Sequence, residues 1–146
     1  MLILAAMILS SCHSINTTPL RDEVVALPTF LDKYTISGFA VGVGPEPGQF
    51  YLLSNQISEV GNENQFRQML TDSCPAVRAM GLVCLAKHNY SFDILENDKT
   101  EILALPFGCG GISMTLEEFS EQLKNDLEFR ACYTGPDDFA WEMINK

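Results

Sequence analysis

From Gln49 to Val60 the apolar residues Phe50, Leu53, Ile57 and Val60 fall three and four positions apart, which predicts an amphipathic helix. Gly61 is placed to end it in the left-handed conformation that costs glycine nothing. Asn62, with Gln65 three positions on, supplies a capping box for a second helix whose inner face is Phe66, Met69 and Leu70. Asp72 and Ser73 open a tight turn, Cys74 or alternatively Ser73 takes the cap position, and Pro75 stands in the first turn of a third helix, where its missing N–H is harmless. Val77, Met80, Gly81, Val83, Cys84 and Leu85 then leave almost no polar face, with Arg78 and Lys87 as the outward exceptions. A helix apolar on most sides has to be buried by neighbours on both faces. The stretch from Gln65 to His88 is therefore expected to be the buried centre of the fold.

The flanking segments carry weaker patterns. Tyr34, Ile36 and Gly38 alternate with Thr35 and Ser37, a faint strand signal. The glycines at 38, 42 and 44 match neither G-x-G-x-x-G nor the P-loop and read as a turn of closely approaching backbone. Beyond His88, Ser91 caps a short turn around Phe92, Ile94 and Leu95, and Asn97-Asp98 is a turn signal. Thr100 to Leu105 has the length of a strand and Pro106 stops it; with Ile112 to Met114 it suggests a small β-hairpin near residues 100–114. Thr115-Leu116-Glu117-Glu118 is a capping box opening a helix with Leu116, Phe119, Leu123 and Leu127 inward. Gly135 to Asp138 starts a final short helix with Phe139, Ala140, Met143 and Ile144 inward. The expected fold class is mainly α: a single helical domain over residues 29–146.

The central hairpin resembles a known repeat. The run Leu70-x-Asp72-Ser73-x-Pro75-Ala76-Val77-Arg78-Ala79-x-Gly81-Leu82-x-Cys84-Leu85-Ala86 is similar to a HEAT-type helical hairpin, and the similarity covers roughly residues 49–88. In that family an Asp and a Pro mark the turn between helices and a Val-Arg pair opens the second helix. The resemblance thus implies structural roles for Pro75 and Arg78, with Arg78 reaching the turn of a neighbouring repeat. One such unit is legible; residues 89–128 keep the spacing of a second but not its pattern, whereas stacked repeats need at least about three units.

At the N-terminus, residues 1–11 form an uncharged apolar run that is too short to span a bilayer, which takes roughly 20 apolar residues. It fits the apolar core of a secretory signal. Leu9-Ser10-Ser11-Cys12 resembles the lipobox of bacterial lipoproteins, which implies cleavage before Cys12, a diacylglyceryl thioether on its sulfur, and a cell-envelope location with the chain anchored to the membrane by lipid. The run departs from such signals in having no Lys or Arg near its start. Residues 12–28, with Ser, Asn, Thr and Pro at their start, have the composition of a polar tether. The bland alternative is a buried N-terminal helix of a cytosolic protein that happens to end in Ser-Ser-Cys.

Composition narrows the function class. At 146 residues the chain has room for one domain with a core, and a net charge of −10 repels a phosphate backbone, so nucleic acid is excluded as a partner. The five cysteines show neither CxxC spacing nor zinc-ligand spacing with a histidine, so no metal and no cofactor is expected. Cys84 and His88 lie four apart and would share a helix face, and Cys109 is flanked by glycines; these are the candidate thiol nucleophiles. In an exported protein disulfides are open to Cys74, Cys84, Cys109 and Cys132. Cys74 and Cys84 cannot pair along one helix, where ten residues at 1.5 Å rise separate them by about 15 Å, so the pairings would join the hairpin to Cys109 and Cys132 in either order. No carboxylate pair can be assigned as acid and base, and no catalytic residue is identified. The leading expectation is a lipid-anchored, non-enzymatic scaffold that binds another protein; the alternative is a small envelope hydrolase or thiol enzyme using Cys109 or Cys84.

Overall fold

The computed structural model describes residues 34–42, 46–108 and 110–135. The signal segment, the tether with Cys12, Cys109 and the expected helix after Gly135 lie outside the described residues. The elements run β1 (Thr35–Val41), α1 (Gln49–Val60), α2 (Glu63–Met69), α3 (Pro75–Lys87), β2 (Glu101–Gly108), β3 (Ile112–Thr115), α4 (Leu116–Asn125) and α5 (Leu127–Thr134).

The expectation of a mainly α fold is wrong. The three strands form one mixed sheet in the order β1-β2-β3, with β1 parallel to β2 and β2 antiparallel to β3. Among the described residues 52% are helical and 20% are in strands, which makes this an α/β fold. The small hairpin expected near residues 100–114 is two strands of that sheet. The third, β1, pairs Thr35 with Leu103 and Ser37 with Leu105 across a long helical crossover. A parallel neighbour brings no tight turn with it, so nothing local announces the pairing. Gly38 explains why the strand could be mistaken for a turn. A Cβ there would come within 2.5 Å of the Pro106 carbonyl oxygen and 2.7 Å of that of Cys132, so the sheet and α5 close onto bare backbone at this point.

Helix α3 is the centre of the molecule, as its sequence requires. Every residue from Pro75 to Ala86 except Arg78 is buried, and the helix packs against α1, α2, α4, α5 and β1. Gly81 lets α2 in close, since a Cβ there would lie 2.7 Å from the Phe66 carbonyl oxygen. The α2–α3 pair is a helical hairpin with Asp72 and Pro75 at its turn, but no stack of similar hairpins surrounds it among the described residues. The remaining faces of α3 meet the sheet and the two C-terminal helices instead. On the far side Tyr133 of α5 fills the core, its hydroxyl donating to the Ile36 carbonyl at 3.3 Å and its ring meeting Phe50, Phe119 and Phe129. Burial pushes the Tyr133 phenol up from its ordinary value, with the neighbouring Cys132 adding to the effect.

Three local expectations need correction. Phe50, Leu53 and Ile57 are buried, but Val60 at the end of α1 is 70% exposed, and Gly61 is extended at φ −85° rather than left-handed. The helix opened by the Thr115–Glu118 capping box stops at Asn125. Asp126 then caps a separate helix by accepting from the amides of Glu128 and Phe129, which turns Leu127 outward to 58% exposure. The short turn expected around Phe92, Ile94 and Leu95 falls later, at Glu96 and Asn97, although Phe92 itself is buried.

Arg78 is the polar tie of this core. Its Nε donates to Asp98 Oδ2 at 2.9 Å, Nη1 to the carbonyls of Asp72 and Ser73 at 2.7 and 3.2 Å, and Nη2 to Thr100 Oγ1 at 3.0 Å. It therefore holds the turn of its own hairpin to the approach to β2, rather than to the turn of another repeat. Burial would raise the Asp98 carboxyl, but hydrogen bonds from the Thr100 side chain and backbone, together with the Arg78 guanidinium, hold it below its ordinary 3.8.

Candidate functional site

A surface that brings together polar, charged and aromatic side chains lies where α3 ends. The Tyr90 amide donates to the Leu85 carbonyl at 2.9 Å and the Asn89 amide to that of Ala86 at 3.1 Å. These are the two bonds of a Schellman closure, and the position that must be left-handed is Asn89, with φ of 57°. Asparagine tolerates that conformation better than other side chains. The closure turns the chain sharply, so that Asn89 to Asp93 fold back over the helix end.

Two helices from the other end of the sequence complete the site. Arg130 of α5 reaches under the closure, its Nη2 donating to the Ala86 carbonyl and, at 3.0 Å, to Asn89 Oδ1. A cation at a helix C-terminus is favoured by the helix dipole as well as by the carbonyls it meets. Lys124 of α4 stands nearby, and with Asn89, Tyr90, Ser91, Phe92, Asp93 and Arg130 it lines an open pocket of about 350 Å³. That volume lies at the lower end of the range of small-ligand sites.

Two of the three described cations without a carboxylate partner line this pocket; the third, Lys87 of α3, donates to Asn55 Oδ1. Arg67 pairs with Glu63, Arg78 with Asp98, and Lys99 with Glu117. Neither Lys124 nor Arg130 has a carboxylate partner among the described residues, although the chain carries 19 acidic and only 9 basic residues. One carboxylate, Asp93, shares the lining.

The thiol chemistry expected of Cys84 with His88 is not assembled among the described residues. Cys84 is fully buried, its Sγ 3.6 Å from the Ser54 carbonyl, and burial pushes its thiol up to about 12 despite Lys87. His88 does not face Cys84: its Nε2 lies 2.9 Å from both Oγ and the carbonyl oxygen of Ser58. Its ring stacks between Phe66 and Tyr90, with centroids 5.7 and 5.6 Å away. The Ser58–His88 contact is no nucleophile and base either, because Ser58 is 3% exposed and a nitrogen that donates to a carbonyl is not free to take a hydroxyl proton. Cys74 and Cys132 are partly exposed free thiols, and no bridge joins any two of Cys74, Cys84 and Cys132. Burial, with Asp126 and Glu128 adding to it, pushes the Cys132 thiol up.

Pro75 stands at the first position of α3 and Arg78 in its first turn, whereas the pocket residues are not among the site residues the sequence marks. The turn after His88 was a usable signal. The convergence of Lys124 and Arg130 on it was not, since the two sit on different helices. Among the described residues no group of three or more His, Cys, Asp or Glu is placed to hold a metal, and no helix is long and apolar enough to cross a membrane. Comparison of the chain with family models, with curated proteins and with solved structures gives no match.

Proposed function

We propose that this protein is a non-enzymatic binding domain of the bacterial cell envelope, tethered to a membrane by lipid on Cys12, and that it holds another protein at the pocket where α3 ends. The observation that carries the binding reading is the pairing of two cations that lack carboxylate partners among the described residues with an open, aromatic-edged cavity in an otherwise acidic domain. The reading of the anchor rests on Leu9-Ser10-Ser11-Cys12 and the polar tether. The lack of an enzymatic role is supported by the burial of Cys84 and by the engagement of His88 with Ser58.

Two measurements on protein expressed in its own cells test this. Intact mass of the membrane-extracted chain should show loss of residues 1–11 and an acylated Cys12; a soluble chain that retains Met1 refutes the anchor. A photo-crosslinking residue at Tyr90, which is 37% exposed, should trap one defined protein that the same residue at Gln56 on α1 does not. Identical products at both positions, or none, refute the docking site.

A further inference from the structure

We propose that the free edge of β3 is a self-association surface, on which a second copy of this chain lays its own β3 antiparallel and joins the two sheets into one. Within the sheet the Leu103 amide donates to the Tyr34 carbonyl at 2.7 Å, so the main-chain groups of Leu103 face β1. By strand alternation those of Ile102 and Ala104 face β3, where they pair with Met114 and Ile112. The N–H and C=O of Ser113, opposite Leu103, therefore point away from the sheet. Gly111 repeats that placement two residues earlier, since a Cβ there would lie 2.7 Å from the side chains of both Leu103 and Leu105, on the face that Ser113 shares. Neither residue meets a main-chain partner on this side among the described residues. Thr115, next in the same series, gives its amide to Glu118 Oε2 at 2.7 Å, which ends the open edge. The opposite edge of the sheet is already blunted: the Gly48 amide donates to the Gly38 carbonyl at 2.9 Å, the Phe50 amide to Ser37 Oγ at 3.2 Å, and Val41 bridges Glu46. β3 has none of the devices that keep an edge from pairing, neither charge nor proline nor bulge.

Symmetry and charge select a second copy as the occupant. With Ile112 on a two-fold axis, Gly111 of each copy faces Ser113 of the other, and each such pair exchanges two main-chain hydrogen bonds. Ile112, which is 47% exposed, then packs directly against its own copy at the closer of the two spacings an antiparallel pair offers. From Ile102 to Leu116 the sequence holds no charged residue, in a chain of net charge −10. Two acidic copies can meet along this strand without setting like charges opposite one another, whereas a charged foreign strand would find no counter-charge on it. So short an edge buries less than the roughly 1,600 Å² of a standard interface, which makes the dimer weak and concentration-dependent. None of these residues lines the pocket at the end of α3, so the dimer is independent of what that pocket binds.

Amide hydrogen exchange of the full chain, followed by NMR in dilute and in concentrated solution, reads the edge directly. The amides of Ile112 and Met114 are tied to β2 and should exchange slowly in both. Those of Gly111 and Ser113 should exchange fast when dilute and slow down as the concentration rises. Sedimentation equilibrium follows the dimer itself. Ser113→Pro removes an N–H that β2 does not use, at a position where an edge strand tolerates proline; losing two hydrogen bonds per dimer should weaken association by about thirtyfold. Ile112→Lys, which sets two ammonium groups together on the axis, should also favour the monomer. Gln56→Lys on the exposed side of α1 makes the same step in charge and should leave association at the wild-type level. A chain that stays monomeric up to about 1 mM, or association that both β3 variants leave unchanged, would overturn the proposal. Slow exchange at Gly111 and Ser113 already in dilute solution would assign the edge to another segment of the same chain, and fast exchange at every concentration would leave it to a foreign strand; either result overturns the dimer. Should a β3 variant fail to fold, the wild-type exchange pattern decides alone.

Discussion

Arg78→Met removes the guanidinium while keeping most of the apolar stem, and its consequence can be worked from the contacts. The pair with Asp98 is largely dry, with side-chain exposures of 14% and 20%. Deleting one partner of a fully buried pair costs about 3–5 kcal/mol, because the other charge is left without compensation. Asp98 retains the hydrogen bonds from Thr100 and some access to water, and the exposed Ser73 carbonyl can rehydrate, so the lower end applies, about 3 kcal/mol. For a domain of this size that lowers the melting temperature by about 10 °C. Urea denaturation followed by circular dichroism is the assay, with Asp98→Asn and the double variant closing a cycle whose coupling should be about 1–2 kcal/mol. The gap between wild type and Arg78→Met also depends on pH. The folded Asp98 carboxyl sits below its ordinary 3.8, so the contribution of the pair is complete above that value and is lost as the pH falls through the depressed folded one. A loss below about 1 kcal/mol at neutral pH, or a gap that widens on acidification, would refute the claim that Arg78 ties the hairpin to β2.

Two further outcomes test the interior. At pH 8 a thiol at its ordinary 9.0 is about one-tenth ionised, whereas one near 12 is about one part in ten thousand ionised, so Cys84 should resist iodoacetamide in the folded protein and react on unfolding; peptide mapping that finds it alkylated as fast as Cys74 would sink the buried assignment. Leu123→Ala should cost about 3 kcal/mol while Leu127→Ala stays within about 0.5 kcal/mol, since one is fully buried and the other 58% exposed; equal losses in thermal melts would mean that α4 and α5 are one continuous helix.

Much of the helical skeleton could be read from the sequence because its signals are local. Asn62 with Gln65 and Thr115 with Glu118 form the capping boxes that their spacing announces. The burial of α3 follows from its lack of a polar face. What escaped was non-local. The strand β1 contains a glycine and several small polar residues, and its partner is separated from it by three helices, so neither propensity nor spacing reveals the pairing. The apolar faces of α3 need cover, but sequence alone does not tell a sheet from further helices as the covering layer. Leu127 was misassigned because it continues the heptad-like spacing of α4, whereas Asp126 spends its side chain on starting a new helix. The pocket was illegible for a related reason: Asn89 and Arg130 meet only once α5 has folded back across the end of α3.

The parallel pairing of β1 with β2 also sets an order of events during synthesis. Thr35 leaves the ribosome well before Leu103, and the helices between them emerge with no sheet to cover α3. Until α4 and α5 appear, the most apolar segment of the domain has only β1, α1 and α2 to shelter it. Such long-range closure is slow, and it leaves the nascent chain sticky in the meantime. The contact that completes the sheet is therefore not available until most of the domain has been made.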